Sequence, residues 1–274
     1  MAADLVGKQV QVNDTKARVM LSVIVPMYNA ESFVQERMTA LVQFLKSEPL
    51  AFEVIVVDDA STDKSVACIE SLPFAEIGIR RNEQNQGKFA SIARGMAAAS
   101  GELRMFTDAD CSCDFSNLKT MLELLKTSGA DIVVGDRHWP SSNYITRMPL
   151  FRRLVSKCFA KVVDLVLGME LGDTQCGLKA MRAETSDAIF PLMHENRFEG
   201  DVELLLLARC LGFQLQRMPV DLAFQGPSTV RLFRDGLSMF RGVFRIRRRW
   251  LRHLRPLLKT ECPPGLGFDH PSIS

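Results

Sequence analysis

Short apolar, β-branched runs alternate with stretches of helical spacing through the first half of the chain. Leu21-Ser-Val-Ile-Val25 is stopped by Pro26, and 53–57, 77–80, 103–107 and 131–134 repeat the pattern. Between them, 31–46 sets Phe33, Val34, Met38, Leu41 and Leu45 on one helical side, 86–100 is Ala-rich, and 117–127 is helical again. Runs this apolar are buried on both faces. The pattern therefore predicts an α/β fold of βαβ units, a mostly parallel central sheet covered by helices on both sides. After residue 140 the rhythm loosens and helices dominate. A second half built on the first is expected, with the junction near 115/116, a loose arm at 1–18 and a tail at 261–274.

Polar clusters fall where the strands end, at 27–31, 58–63 and 108–114. In such a sheet, ligands bind in the crevice beyond the carboxyl ends of the strands. Asp108 and Asp110 share one face if the extended conformation continues. Two like charges so close need water, a cation or an opposing charge between them. As a metal site, their hard oxygens suit Mg²⁺ or Mn²⁺, which usually takes one or two carboxylates plus phosphate oxygens. Plainer readings stand beside this one: a hydrated turn at 108–114, and a helix start at 58–63 capped by Ser61 or Thr62. Neither Gly-x-Gly-x-x-Gly nor Gly-x-x-x-x-Gly-Lys-Ser/Thr occurs, which disfavours a dinucleotide fold or a phosphate-binding loop of that class.

The 274 residues are 47% hydrophobic and 24% charged, an ordinary globular composition. Seven cysteines, an odd number, and an opening stretch without a secretory leader lead to the expectation of a reducing cytosol. Cys111 and Cys113 have no second pair at zinc-site spacing. His138, His194, His253 and His270 are scattered, and Trp139, beside Arg137, could stack on a sugar or simply pack. No apolar run reaches the ~18 residues of a membrane span. The net charge of +2 hides an asymmetry. Residues 231–259 carry ten Lys/Arg and one acid, a local +9 that leaves −7 for the remainder.

Four motifs, in this order and spacing, carry a resemblance: Val23-Ile-Val-Pro26-Met-Tyr28-Asn29-Ala-Glu31, Val56-Val-Asp58-Asp59-Ala-Ser61-Thr-Asp63, Asn85-Gln-Gly87-Lys88 and Asp108-Ala-Asp110. Together they resemble family 2 glycosyltransferases of the GT-A fold. Val134-Gly-Asp-Arg137, Asp173-Thr-Gln-Cys-Gly177-Leu-Lys179 and Gly200-Asp201-Val-Glu203-Leu extend the resemblance to the polyprenyl-phosphate sugar transferases. Dolichyl-phosphate glucose and mannose synthases belong to that branch, and the Asp-Thr-Gln-Cys-Gly segment is closer to the glucosyl type.

The resemblance implies a nucleotide-sugar-binding half at 19–115 and an acceptor-binding half at 116–260. Pro26, Tyr28, Asn29, Glu31, Asp58, Asp59, Lys88 and Asp108 would hold the donor nucleotide. Asp108 and Asp110 would bind its diphosphate through Mg²⁺ or Mn²⁺, and Arg137 would face phosphate. Asp201 occupies the position of the family's candidate base. Its plain alternative is an acid favoured at a helix start, and a phosphate acceptor, already ionised, would need it only for orientation. Two departures are visible: Ala30 stands where an acid is common, and Phe89 follows Lys88 where glycine is common.

At the basic end, Arg241, Arg245, Arg248, Arg252 and Arg255 form one helical stripe beside Phe240, Phe244, Leu251, Leu254 and Leu258. A basic amphipathic helix with few acids suits a cytosolic membrane surface. The stretch 150–169 opens with Arg152 and Arg153, which could hold a lipid phosphate, although a buried core helix fits equally well. No motif or aromatic platform points to nucleic acid. The expected protein is an inverting transferase peripheral at the cytosolic membrane face. It would move a hexosyl group, glucose before mannose, from UDP-glucose or GDP-mannose to polyprenyl phosphate, with room for an integral-membrane partner. Two other readings are a family 2 transferase with a glycan or soluble hydroxyl acceptor, and a non-catalytic module binding nucleotide sugar or lipid.

Overall fold

The computed structural model describes residues 19–142, 150–168, 172–222 and 232–254. The expected arm at 1–18, the tail at 261–274 and Arg255 lie outside the described residues. Seven strands form one sheet: β1 (Leu21–Met27), β2 (Phe52–Asp58), β3 (Ile77–Arg81), β4 (Leu103–Phe106), β5 (Ile132–Asp136), β6 (Lys179–Arg182) and β7 (Leu215–Pro219). Their spatial order is β3-β2-β1-β4-β6-β5-β7. β6 alone is antiparallel to its neighbours β4 and β5; the other pairings are parallel. The mostly parallel sheet is as expected, and it crosses the 115/116 junction. β6 and β7 were not foreseen. Lys-Ala-Met-Arg and Leu-Gln-Arg-Met-Pro are too short and polar to register as buried runs, and pairing with neighbours defines them instead.

Side-chain alternation sorts the core into two layers. Val23, Val25, Val54, Val56, Met105 and Val133 face α1 (Val34–Ser47), α2 (Ser65–Glu70) and α4 (Ser116–Thr127), which contribute Met38, Leu41, Ile69, Met121 and Leu125. Ile24, Val57, Phe106, Ile132 and Met181 face the other way. There they meet α3 (Lys88–Ala98), α5 (Leu150–Leu167), α6 (Ala183–Ile189), α7 (Gly200–Cys210) and α8 (Leu232–Arg249). The α7 helix is buried nearly all round, as expected of a helix without a polar face.

The reversal of β6 determines which loops meet at the carboxyl edge. In a parallel sheet that edge collects the loops that leave the strands, and an antiparallel strand delivers to it the loop that precedes it. Lys179, the first residue of β6, pairs with Phe106, the last of β4. The 172–178 segment therefore arrives beside Asp108.

Two sequence departures find their explanation here. Ala30 is buried, and its N–H donates to Ser65 Oγ at 2.7 Å. Phe89 is buried edge-on to Phe106, ring centroids 5.8 Å apart, and the space for it comes from Gly200. A Cβ at Gly200 would lie 2.3 Å from Phe89 Cγ.

The α8 helix differs in detail from the expected stripe. Val243 and Ile246 are buried and Phe240 packs beside them, while Phe244 of this helix and Leu251 of the turn after it are 57% and 39% exposed. Acids on the neighbouring segment set this rotation. Arg245 donates to Glu195 (2.7 Å) and Glu199 (3.1 Å), and Arg249 donates to Glu203 (2.9 Å). Arg241, Arg248 and Arg252 remain exposed. Among the described residues, no helix is long and apolar enough to cross a membrane.

Gly200→Ala should destabilise the protein by about 1–3 kcal/mol through overpacking, measured by urea denaturation. Adding Phe89→Leu should recover part of that loss. Additive losses would contradict the contact.

Candidate active site

The loops leaving β1 and β2 are stitched to each other. Asn29 N–H donates to Ser61 Oγ, while Asn29 Oδ1 accepts from Thr62 N–H, both at 2.9 Å. Glu31 N–H donates to Asp63 Oδ2 (3.1 Å), and Glu31 Oε2 accepts from Lys64 N–H (2.9 Å). Asn29 and Glu31, expected at the nucleotide, thus shape the edge itself. Ser61 serves this stitching rather than the expected cap, since α2 begins only at Ser65. Asn29, Ala60 and Cys111, one in each loop after β1, β2 and β4, have φ of 48°, 60° and 43°. Such left-handed residues cost roughly 1–2 kcal/mol each, which the surrounding hydrogen bonds must outweigh. Pro26 sits half-buried within β1, and Tyr28 is 44% exposed at the edge.

Asp58 and Asp59 are both buried. Asp58 accepts from Ser61 N–H at 3.1 Å and pairs with Arg81 Nε at 3.1 Å. Asp59 accepts from Asn82 Nδ2, Gln86 N–H and Gly87 N–H, each at 2.8 Å. Asp59 therefore suspends the 85–88 loop, and that loop presents Lys88 to Asp108.

Lys88 Nζ lies 2.6 Å from Asp108 Oδ1. Burial alone would raise the Asp108 carboxyl, but Lys88, with Lys179 and Arg137 beyond it, holds it below the usual carboxylate range. Burial likewise works against the Lys88 ammonium, and the charges of Asp108 and Asp201 override it and push its pKa up. Gly177 forms the opposite wall: a Cβ there would lie 2.0 Å from Asp108 Oδ2. Asp110 Oδ1 accepts from Ser112 N–H at 3.1 Å. Burial, then the neighbouring Asp110 and Asp108, pushes the Cys111 thiol up.

At the end of β5, Arg137 grips Asp173 through Nε (2.7 Å) and Nη2 (2.8 Å), and its N–H adds a third bond (3.0 Å). Arg217 pairs with Asp136 and lies over the Trp139 ring, 5.6 Å from its centroid. Trp139 thus carries an arginine on its ring. Asp201 is 1% exposed and pairs with Lys179, which is fully buried. Arg152 and Arg153 fall in the first turn of α5, but their side chains lie outside the described residues.

Among the described residues, two places could hold a divalent ion. Asp136, His138 and Asp173 bring ligand atoms within 4.8 Å of one another, a grouping that the scattered histidines did not suggest. Both carboxylates there are at most 2% exposed and each already holds an arginine. Asp108 is 40% exposed and pairs with one lysine, Lys88, with Asp110 two residues further on. A cation entering at Asp108 displaces one ammonium; at Asp136 and Asp173 it must displace two guanidinium groups. The Asp108 site fits Mg²⁺ or Mn²⁺ better.

Arg217 and the packing roles of Lys179 and Gly177 escaped the sequence reading. A lysine in the otherwise apolar run 178–181 was the available signal, but its partner Asp201 is 22 positions away.

The family described as glycosyl transferase family 2 matches residues 22–190. The dolichyl-phosphate beta-glucosyltransferase of Drosophila melanogaster is 32% identical over 248 residues, covering 85% of this chain and 75% of that protein. The enzyme of the same name from Dictyostelium discoideum is 29% identical over 246 residues, with the same coverage. Among solved structures, glucosyl-3-phosphoglycerate synthase from Mycobacterium tuberculosis, in complex with Mn²⁺, uridine diphosphate and phosphoglyceric acid, superposes with a TM-score of 0.64. It is 19% identical and covers 84% of this chain and 78% of that one; the likeness is one of fold.

The Arg137–Asp173 pair makes a pH prediction. Burial alone would raise the Asp173 carboxyl, but Arg137 holds it well below its ordinary 3.8. A depressed folded value means a contribution complete above about pH 4 and lost as pH falls through the folded value. Asp173→Asn should cost about 3–5 kcal/mol at pH 7, as expected for breaking a buried pair, and should flatten the acid limb below pH 4. Denaturant melts across pH check both.

Proposed function

The chain belongs to glycosyl transferase family 2, and on that premise we propose that it transfers glucose from UDP-glucose to a polyprenyl phosphate in one inverting displacement. The carrying observation is Asp108. Among the five edge carboxylates described with a basic partner its side chain is the most open, 40% exposed, walled by Gly177 and paired with Lys88. The glucosyl choice is supported by the names of the relatives, and the nucleotide by the uridine diphosphate in a structure of the same fold.

In this mechanism an acceptor phosphate oxygen attacks the anomeric carbon as the bond to the nucleoside diphosphate breaks on the opposite side. Asp108 and Asp110 would hold Mg²⁺ or Mn²⁺, which when bound supplies a Lewis acid to the diphosphate as it gains charge. Lys88 adds positive charge to the same edge, and Tyr28 offers an exposed ring to the base. Arg137, Arg152 and Arg153 are assigned to phosphate. The acceptor phosphate is ionised near neutral pH, so attack removes no proton. Asp201, buried against Lys179, then acts on geometry.

The outward side of α8 and of the turn that follows it supports the reading of a peripheral position at the cytosolic face of a membrane. Exposed Phe244 and Leu251 can enter the lipid while Arg241, Arg248 and Arg252 meet anionic head groups.

The test is transfer by purified protein with Mn²⁺ or Mg²⁺, polyprenyl phosphate, and radiolabelled UDP-glucose and GDP-mannose in parallel. Label should enter the lipid phase from UDP-glucose and fall at least about 100-fold in Asp110→Ala, the scale of lost electrostatic stabilisation. Protein that binds nucleotide yet yields no lipid product from either donor would overturn the proposal.

A further inference from the structure

Lys179 is fully buried at the head of β6, the reversed strand. An ammonium has three protons to donate, and three acceptors surround this one: the Asp201 carboxylate, the Thr174 carbonyl (3.1 Å) and the Cys176 carbonyl (2.7 Å). It also stands 5.3 Å from the centroid of the Phe106 ring. Two of these acceptors are main-chain carbonyls of one loop. Those carbonyls belong to the residues just before Gly177, whose missing side chain lets Asp108 approach. Phe106 lies two residues before Asp108 on the strand paired with Lys179. Lys179 therefore bonds to the loop that walls Asp108 and packs on the strand that carries it.

We propose that Lys179, with Asp201 as its counter-charge, is a positioning residue for the donor-diphosphate site: it fixes the 174–177 loop and, through Gly177, the place of Asp108. The inference rests on the reading of Asp108 and Asp110 as the cation site, and it assigns Asp201 to holding Lys179 rather than to removing a proton. Residues that orient metal ligands from behind typically change metal affinity about 10–100-fold when lost.

Lys179→Met alone leaves a buried carboxylate unpaired and invites unfolding. The test therefore uses two neutral doubles, Lys179→Met/Asp201→Asn and Lys179→Gln/Asp201→Asn. Thermal unfolding without ligands checks the fold, and Mn²⁺ binding in the presence of UDP is followed by the electron paramagnetic resonance of free Mn²⁺. The Met double should fold and bind Mn²⁺ about 10–100-fold more weakly than wild type. The Gln double, which still donates to a loop carbonyl, should recover part of that loss. Folded doubles with wild-type Mn²⁺ affinity would overturn this inference alone. If neither double folds, Lys179 is a folding residue and the inference fails. Wild type that binds no Mn²⁺ would overturn the reading of the cation site and this inference with it.

Discussion

Carboxylates gathered at one edge of a sheet repel each other unless positive charge or N–H donors hold them; among the described residues, five at the carboxyl edge have the basic partners named next, while Asp59 is held by N–H groups. Asp58 meets Arg81, Asp108 meets Lys88, Asp136 meets Arg217, Asp173 meets Arg137 and Asp201 meets Lys179. An unpaired charge at such depth costs several kcal/mol, so the edge depends on the topology bringing bases or N–H donors to the acids. The reversal of β6 does much of this. It delivers Asp173, Gly177 and Lys179 to the same edge as the loops leaving β4 and β5. Four of the five carboxylates are then sealed at 2% exposure or less, while Asp108 stays 40% open. The sealed pairs frame the edge, and the open one is where, on the proposed reading, a ligand would exchange for the resident ammonium.

Glu195, Glu199 and Glu203 pair with the half-exposed Arg245 and with Arg249, and Phe244 of α8 and Leu251 of the turn after it face outward. The same segment carries Gly200, which receives Phe89, and Asp201, which holds Lys179. One stretch of chain, 195–203, thus touches both the basic helix and the supports of Asp108.

Much of this was legible in the sequence. The strand runs of the first half, the polar clusters at their ends and the family 2 motifs lead to the GT-A fold and to a glycosyltransferase, and both hold. Strands β6 and β7 were not legible, because their pairing lies in their neighbours and not in their own residues. The basic partners were hidden for a related reason: Arg137–Asp173 and Arg217–Asp136 span 36 and 81 positions, beyond any local period. Asn29, Glu31 and Asp59 show the opposite case. Their motif is plain in the sequence, yet in the fold their side chains hold neighbouring loops. Phe89 looked like a departure until Gly200 was seen against it.

On the proposed reading, the open carboxylate just beyond β4, Asp108, is the cation site. A crystal of the protein grown with Mn²⁺ and UDP, with anomalous data at the manganese edge, tests it directly. The expected result is a peak about 2.1 Å from oxygens of Asp108 or Asp110, a usual distance for a small divalent ion, with Lys88 moved off Asp108. A peak among Asp136, His138 and Asp173, or one elsewhere with the Lys88–Asp108 pair intact, would contradict it.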